Sequence, residues 1–588
     1  MNKITDYTIK TIENMKNNSV NVIEKSKDNK NVLKIYVNEK QIYTGSKYLV
    51  SRDVDKFINE IGEVNINTSI IIFGLGAGEH IKEVVNKFNN SISILVIEPD
   101  ISTLNLVYNS NYYDDIVKND KIAILYYKDE NVEEFLKEFI DPFKLQNTKV
   151  IFFANYKLVY DNESVEFFKL IKTIITYKLV DRNTSINLSK EIIKNSIKNL
   201  DYVAKSFSIN EFKDIYKDIP AIVVSAGPSL AKNIHLLKEV QDEFIIITGG
   251  RTLEPLLNQG IKPDFLCIID PFPISFQLVE DILRDDIPLV YYEGTNSEVV
   301  DKHAGDKIFY TIDSALKKHL NEDITSLAYG GSVAHTCTAL ALHFGCDPII
   351  FIGQDLAYTD EKSHADIAKH NSNNLLNKSE CDFYVEDIYG EKVRTSMSLN
   401  FMRLQFEEVI KIFNKNTFIN ATEGGANING TSIASLNEVI SKYKSKCKKK
   451  IHYSKKVKKV ESSIDIMKNL NECINNIREL QKCCDEVLKH NEELYYSYKR
   501  GNTFKVDKAI NRISKINNSI EKKIENTLFI EGLFFTIQNE ANSKEFLYSP
   551  IDDEKIKVEK MYKQIRFIYN EMKDNLEEAL FLIKKEYF

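Results

Sequence analysis

Four apolar runs in the middle of the chain end in small or acidic residues, and those ends are where chemistry would be done. The first, Ser225-Ala226-Gly227-Pro228-Ser229-Leu230, breaks at a glycine and restarts as a helix. Gly227 lets a ligand approach the backbone, and Pro228 suits a first helical turn. Ser229 adds a hydroxyl beside helix amides that lack intrahelical acceptors, a setting that favours an anion. The second end is Gly249-Gly250-Arg251, with Asp270 closing the next run. The third region holds Gly330-Gly331-Ser332 at a helix start, then Gly353-Gln354-Asp355, with Tyr358 and His364 just beyond. The fourth is Asn420-Ala421-Thr422-Glu423 before Gly424-Gly425. Bare amides suit a phosphate, and the acids and one histidine suit proton transfer. Candidate bases are His364, Glu423 and Asp355. The histidine has the favourable intrinsic pKa, and the two acids are better held at strand ends. His335 and His343, on the intervening helix, read as packing residues.

Several chemistries are excluded. No lysine follows a GxxxxG pattern, so this is no Walker-type nucleotide loop. There is no HExxH, no Cys/His quartet and no GxSxG elbow, which argues against zinc catalysis and an α/β-hydrolase. Asp270 and Asp355 alone are a weak case for a divalent ion, so no metal or other cofactor is expected.

The elements that position these residues follow from periodicity. The runs AIVVSAG, EFIIITGG, FLCIIDP, IPLVYYEG, KIFYTID, PIIFIGQD and TFINATEGG read as strands separated by helices. That alternation predicts a parallel, doubly wound sheet, whose ligands bind beyond the carboxyl ends of the strands. An earlier set, SIIIFGLGAGEH, ISILVIEPD, KIAILYY and KVIFFAN, predicts another such sheet. Its turn, Gly74-Leu75-Gly76-Ala77-Gly78, with Glu98 ending the next strand, has two readings. It is either a nucleotide-type ligand site or a structural turn of a degenerate Rossmann-like domain.

The expected organisation is a helix and hairpin segment over 1–65 and a degenerate Rossmann-like domain over 66–175. A helical linker over 176–219 leads to a catalytic domain over 220–440 and a helical domain over 441–588. The fold class is therefore α/β: two Rossmann-like doubly wound domains followed by an all-helical C-terminal domain. Composition agrees. Of 21 glycines and 11 prolines, 14 and 8 lie between Pro220 and Gly430. The last region opens with a lysine-rich stretch from Lys442 to Lys459, read as a solvated face or as a contact with an acidic partner.

The chain has 588 residues, 78 basic and 85 acidic, for a net charge of −7. Non-specific nucleic-acid binding rests on excess Lys and Arg, so nucleic acid is not an expected partner. There is no apolar signal region and no 18-residue apolar window, so neither secretion nor membrane insertion is expected. Eight scattered cysteines without CxxC fit reduced thiols and a cytoplasmic location.

The segments AIVVSAGPSL, GGRTLEPLLNQGIKPDFLCIIDP, GGSVAHTCTALALHFGCDPIIFIGQDLAY and NATEGGANINGT resemble the motility-associated-factor (Maf) glycosyltransferases of bacteria. The resemblance covers most of the chain, and its specific motifs lie in 221–430. It implies transfer of a nonulosonic acid, pseudaminic or legionaminic in type, from its CMP-activated form to Ser or Thr hydroxyls of flagellin. That activity serves flagellum assembly and motility. A more distant similarity, to metal-independent bacterial sialyltransferases, maps onto Gly227-Pro228-Ser229, Gly330-Gly331-Ser332 and Gly353-Gln354-Asp355 with Tyr358. It implies that the first two turns hold CMP and that Tyr358 stabilises the departing phosphate. Gly249, Gly250, Arg251, Asp270 and Ser225 complete the expected donor cleft. Where those enzymes carry a late catalytic histidine, this chain has Arg394, Thr395 and Ser396, which leaves the base open. The central domain also resembles the archaeal 6-hydroxymethylpterin pyrophosphokinase, which would instead use Mg-ATP. A flagellin-binding scaffold is the non-enzymatic alternative. The oligomeric state is open, a homo-oligomer included.

Overall fold

The computed structural model describes residues 21–37, 40–109, 111–362, 364–368, 383–447, 450–457 and 466–588. The helix expected before residue 21 falls outside them, as do Cys381, Lys448, Lys449, Lys458 and Lys459. The chain forms two compact units. The first comprises Met1–Ile186, Cys483–Asn517 and Phe534–Lys573; the second comprises Asn187–Lys482, Asn518–Leu533 and Asp574–Phe588. The stretch 441–588, expected as one helical domain, is thus shared between the units. Its helices Ile466–Lys499, Thr503–Ile524 and Glu554–Tyr587 are long and amphipathic, and each buries an apolar stripe.

The first unit opens with an antiparallel sheet of β1 (Val22–Lys25), β2 (Asn31–Val37) and β3 (Lys40–Tyr43). The expected hairpin is β2–β3, and β1 adds an outer strand. A parallel sheet follows, built from β4 (Ser69–Phe73), β5 (Ser93–Glu98), β6 (Ile122–Tyr126) and β7 (Thr148–Phe152) in the order β6-β5-β4-β7. Its central strands are apolar without alternation, because helices cover both faces of a parallel sheet. Ile70, Ile71, Ile72 and Phe73 are all buried.

In the second unit nine strands form one parallel sheet. They are β8 (Phe207–Ser208), β9 (Ala221–Val224), β10 (Ile245–Gly249), β11 (Phe265–Cys267), β12 (Leu289–Tyr292), β13 (Lys307–Tyr310), β14 (Ile349–Ile352), β17 (Phe418–Asn420) and β18 (Ser432–Ile433). The order is β18-β17-β14-β9-β10-β11-β12-β13-β8. Chain order therefore reverses between β9 and β14, the switch point where loops leave in opposite directions and open a crevice. The two-residue edge strands β8 and β18 and a separate hairpin, β15 (Phe383–Glu386) with β16 (Lys392–Thr395), were not read from the sequence. They are too short or too polar to show a run. The expected connecting helix lies earlier in the chain than its 176–219 limits suggest. It begins at Asp161 and ends at Lys205, ahead of β8.

The lysine-rich stretch is partly structural. Lys450 is mostly buried, pairs with Asp264 at 2.6 Å and donates to the carbonyl of Phe244. Lys456 donates to the carbonyl of Ile215 and lies over the Tyr216 ring. Among the described residues, no helix is long and apolar enough to cross a membrane.

Candidate functional site

A pocket of about 240 Å3 opens at the carboxyl ends of β9, β10, β11 and β14. Register sets its floor. Val224 lies opposite Ile352 and Thr248, so Ser225, Gly249 and Gly353 leave the sheet side by side. The β9–β14 ladder runs on past the strands. Ser225 donates its amide to Ile352, and Gly227 donates to Gly353 at 2.8 Å. Of the sequence-predicted residues, Ser225, Gly227, Gly249, Gly250, Arg251, Asp270, Ser332, Asp355 and His364 all line this one pocket.

Asp355 is 2% exposed. Its Oδ2 accepts from the Ser229 hydroxyl at 2.7 Å, and its Oδ1 accepts from the Thr359 hydroxyl at 2.6 Å. Burial raises its pKa against these bonds. A Cβ on Gly227 would collide with this carboxylate, so the glycine is required by close approach. Asp355 therefore straps the β9 turn to the β14 turn. The Ser229 hydroxyl, expected to face a phosphate, is buried and spent on that strap. The helix after Pro228 is also a single turn, Leu230–Asn233, too short to supply much dipole.

A longer helix, the eleven-residue Val333–His343, also starts at this pocket. Ser332, which precedes it, and its first-turn residues Val333 and Ala334 line the pocket. The amides of Val333 and Ala334 have no protein acceptor among the described residues. The Ser332 side chain does not cap the helix. It pairs with His335 Nδ1 at 2.7 Å, while His335 Nε2 meets the Met402 carbonyl and its ring stacks on Phe406. Burial lowers the His335 pKa to about 4, so this histidine is a neutral packing residue, as expected. His343 likewise contacts the Ile209 carbonyl. Gly330 and Gly331 precede the lining, and the Gly331 amide donates to Gln405. A second helix start, Gly250–Asn258, reaches the same pocket. A Cβ on Gly249 would sit 2.9 Å from Val333 Cγ1, so the two starts converge. Asp270 keeps an exposed surface at the rim, yet the surrounding protein raises its pKa, with the Arg251 charge opposing.

Tyr358, Arg394, Thr395 and Glu423 do not line the pocket. The Arg394 guanidinium lies 4.4 Å over the Tyr358 ring and pairs with Glu361 at 2.7 Å. The Thr395 hydroxyl donates to the Leu356 carbonyl. These contacts anchor the β16 end against the loop after Asp355 instead of forming a phosphate clamp. The Glu423 carbonyl accepts from Lys232. Sequence reading missed Leu356, which lines the pocket with φ of +51°, and Thr252, whose hydroxyl donates to Gly249. A leucine in left-handed backbone leaves no sequence signal. Cys267 and Cys337 form part of the wall, and none of the described cysteines forms a disulfide.

Residues 194–361 match the family model described as 6-hydroxymethylpterin diphosphokinase MptE-like. An uncharacterized protein of Treponema pallidum (strain Nichols) is 30% identical over 96 residues, 16% of this chain and 45% of that protein. The chain thus spans less than half the length of this relative. The 6-hydroxymethyl-7,8-dihydropterin pyrophosphokinase of Methanocaldococcus jannaschii is 27% identical over 173 residues, 28% of this chain and 69% of that protein. One solved structure extends far beyond this segment. The Maf glycosyltransferase from Magnetospirillum magneticum AMB-1 superposes with a TM-score of 0.58 at 14% identity, over 99% of this chain and 94% of its own. The fold is that of a Maf glycosyltransferase.

Within this Maf fold the other Rossmann-like sheet is filled by protein. A Cβ on Gly74 would lie 2.5 Å from the Tyr156 ring, and one on Gly78 would lie 2.5 Å from Ile116. The Tyr156 hydroxyl accepts from the Gly76 amide and donates to Glu98 Oε2 at 2.9 Å. Glu98 is fully buried, and desolvation raises its pKa to about 8, with Asp100 adding to the shift. Where a dinucleotide would lie in a binding-competent turn, this Maf fold places Tyr156. Of the two readings of this turn, the geometry matches the structural one.

Proposed function

We propose that the chain is a glycosyltransferase that moves a nonulosonic acid from its CMP-activated donor to Ser or Thr hydroxyls of flagellin. The observation that carries this reading is the convergence of two helix starts and Arg251 on one switch-point pocket. The Maf fold supports it. CMP is a good leaving group, so the protein must hold the phosphate, stabilise its growing charge and remove one proton. The amides at Val333 and Ala334 face the departing phosphate. Asp355 is engaged with Ser229 and Thr359, and Glu423 lies outside the lining, so His364 is assigned as base. The acceptor oxygen bonds to the anomeric carbon as the bond from that carbon to the phosphate oxygen breaks. The acceptor proton passes to the His364 imidazole, and CMP leaves. The chain's own groups suffice for these steps, so the proposed reaction runs without a metal.

The test is mass spectrometry of flagellin co-expressed with this chain and a CMP-nonulosonic acid pathway. Mass additions on Ser or Thr that vanish without the chain are the expected result. Unmodified flagellin that still co-purifies with the chain would replace the reading with a scaffold.

A second reading, diphosphoryl transfer from Mg-ATP to 6-hydroxymethyl-7,8-dihydropterin, draws on the match over 194–361. It needs Asp270 and Asp355 as metal ligands, and the hydrogen bonds on both Asp355 oxygens weigh against that pairing. Formation of AMP with pterin and ATP would favour it.

A further inference from the structure

We propose that Arg251 is a specificity-determining residue that binds the carboxylate of the donor sugar and so restricts the enzyme to sugars of the 2-keto-acid class. The proposal rests on the glycosyltransferase reading above. A CMP-activated nonulosonic acid carries two anionic groups close together, the phosphate and the carboxylate on the anomeric carbon. The pocket must meet both. Two converging helix starts answer one anion with backbone amides. A second anion in the same enclosed space needs a countercharge, and among the described lining residues Arg251 is the only Lys or Arg.

Nearby cations do not substitute. Lys232 is held on the Glu423 carbonyl, and Arg394 is 6% exposed, paired with Glu361 and stacked on Tyr358. The neutral polar side chains of the wall are committed to the protein. The Ser225 hydroxyl is on Gln354, Ser332 is on His335, and Ser275 donates to the carbonyls of Phe272 and Asp270. Arg251 also occupies the right place. It sits in the first turn of Gly250–Asn258, and the preceding Gly249 packs against Val333 at the other helix start. A carboxylate on the carbon that bears the phosphate therefore falls within the same corner. Asp270 shares the lining with Arg251 and feels its positive charge, which pulls against the effect of burial on the carboxyl. The guanidinium fork matches a carboxylate in two parallel hydrogen bonds, which an ammonium cannot reproduce.

Binding of three probes decides the matter by calorimetry: CMP, CMP-legionaminic acid, and the same donor with its sugar carboxylate methylated. In the unaltered protein, the methyl ester should bind on the order of 10²-fold more weakly than the acid. Arg251→Gln should weaken the acid by a similar factor, leave CMP within about 2-fold and bind the ester no worse than the unaltered protein does. Arg251→Lys should fall between the two for the acid. Equal binding of ester and acid by the unaltered protein overturns the proposal without any variant. A parallel loss of CMP in Arg251→Gln overturns it too, and assigns Arg251 to the phosphate. If the unaltered protein binds none of the three probes, the glycosyltransferase reading fails, and this proposal fails with it.

Discussion

At the scale of single residues, several groups of the pocket are committed to holding its shape. Asp355, whose position suggested a base, is a strap between two strand ends. Asp355→Asn should weaken both turns and lower stability by about 1.5–3 kcal/mol, the usual worth of hydrogen bonds to a charged group. Thermal melting would register the loss, and the pH dependence of the remaining activity should keep its midpoint. His364→Asn should behave differently. Removing a general base lowers turnover by about 10²–10⁴-fold while donor KM changes little. Steady-state kinetics with CMP-sugar and flagellin would check that split, and normal turnover in the variant would end the assignment. That the glycines at 227, 249 and 250 would line one pocket was legible, because bare backbone at neighbouring strand ends leaves an opening there. The Ser229–Asp355 bond was not legible, because the partners are far apart in sequence and meet only through β9–β14 pairing.

At the scale of elements, two Rossmann-like sheets share one sequence signature and differ in what fills the glycine turn. Strand, glycine turn and helix were readable in both from apolar runs and punctuation. Tyr156 starts a short helix after β7, and nothing in its neighbourhood marks it as the occupant of the turn after β4. Tyr156→Ala should leave a cavity beside Gly74 and cost about 3–5 kcal/mol, measured by denaturant unfolding. Glu98 gives this element a pH signature. Its folded pKa of about 8 lies above the usual carboxyl range. Between those values the folded state keeps a proton that the unfolded chain releases, so rising pH favours unfolding. Below about pH 6.5 the buried neutral His80, His303 and His335 add a slope of the opposite sign, so stability should fall between about pH 6.5 and pH 8, and Glu98→Gln should flatten that slope in melting curves. Glu293, raised to about 8 by burial and nearby Asp313, leaves a residual slope of the same sign.

At the scale of the molecule, the candidate pocket belongs to the nine-stranded sheet. Hydrogen exchange with and without CMP should show protection gained at 225–227, 249–252 and 332–335. Amides at 74–78 should be unchanged, because that turn is already filled. Protection at 74–78 alone would move ligand binding to the other sheet. By itself the sequence determined the longer apolar strands of the two parallel sheets and the strand ends that gather at the candidate pocket. Apolar runs, glycine breaks and alternation with helices are local properties, and local properties survive without neighbours. Strand order, the switch point between β9 and β14, the sharing of the C-terminal helices between two units and the plugging of one turn by Tyr156 are contacts between distant residues. Only the tertiary structure decided them, because which partner a strand end or a helix stripe meets depends on packing that no single segment encodes.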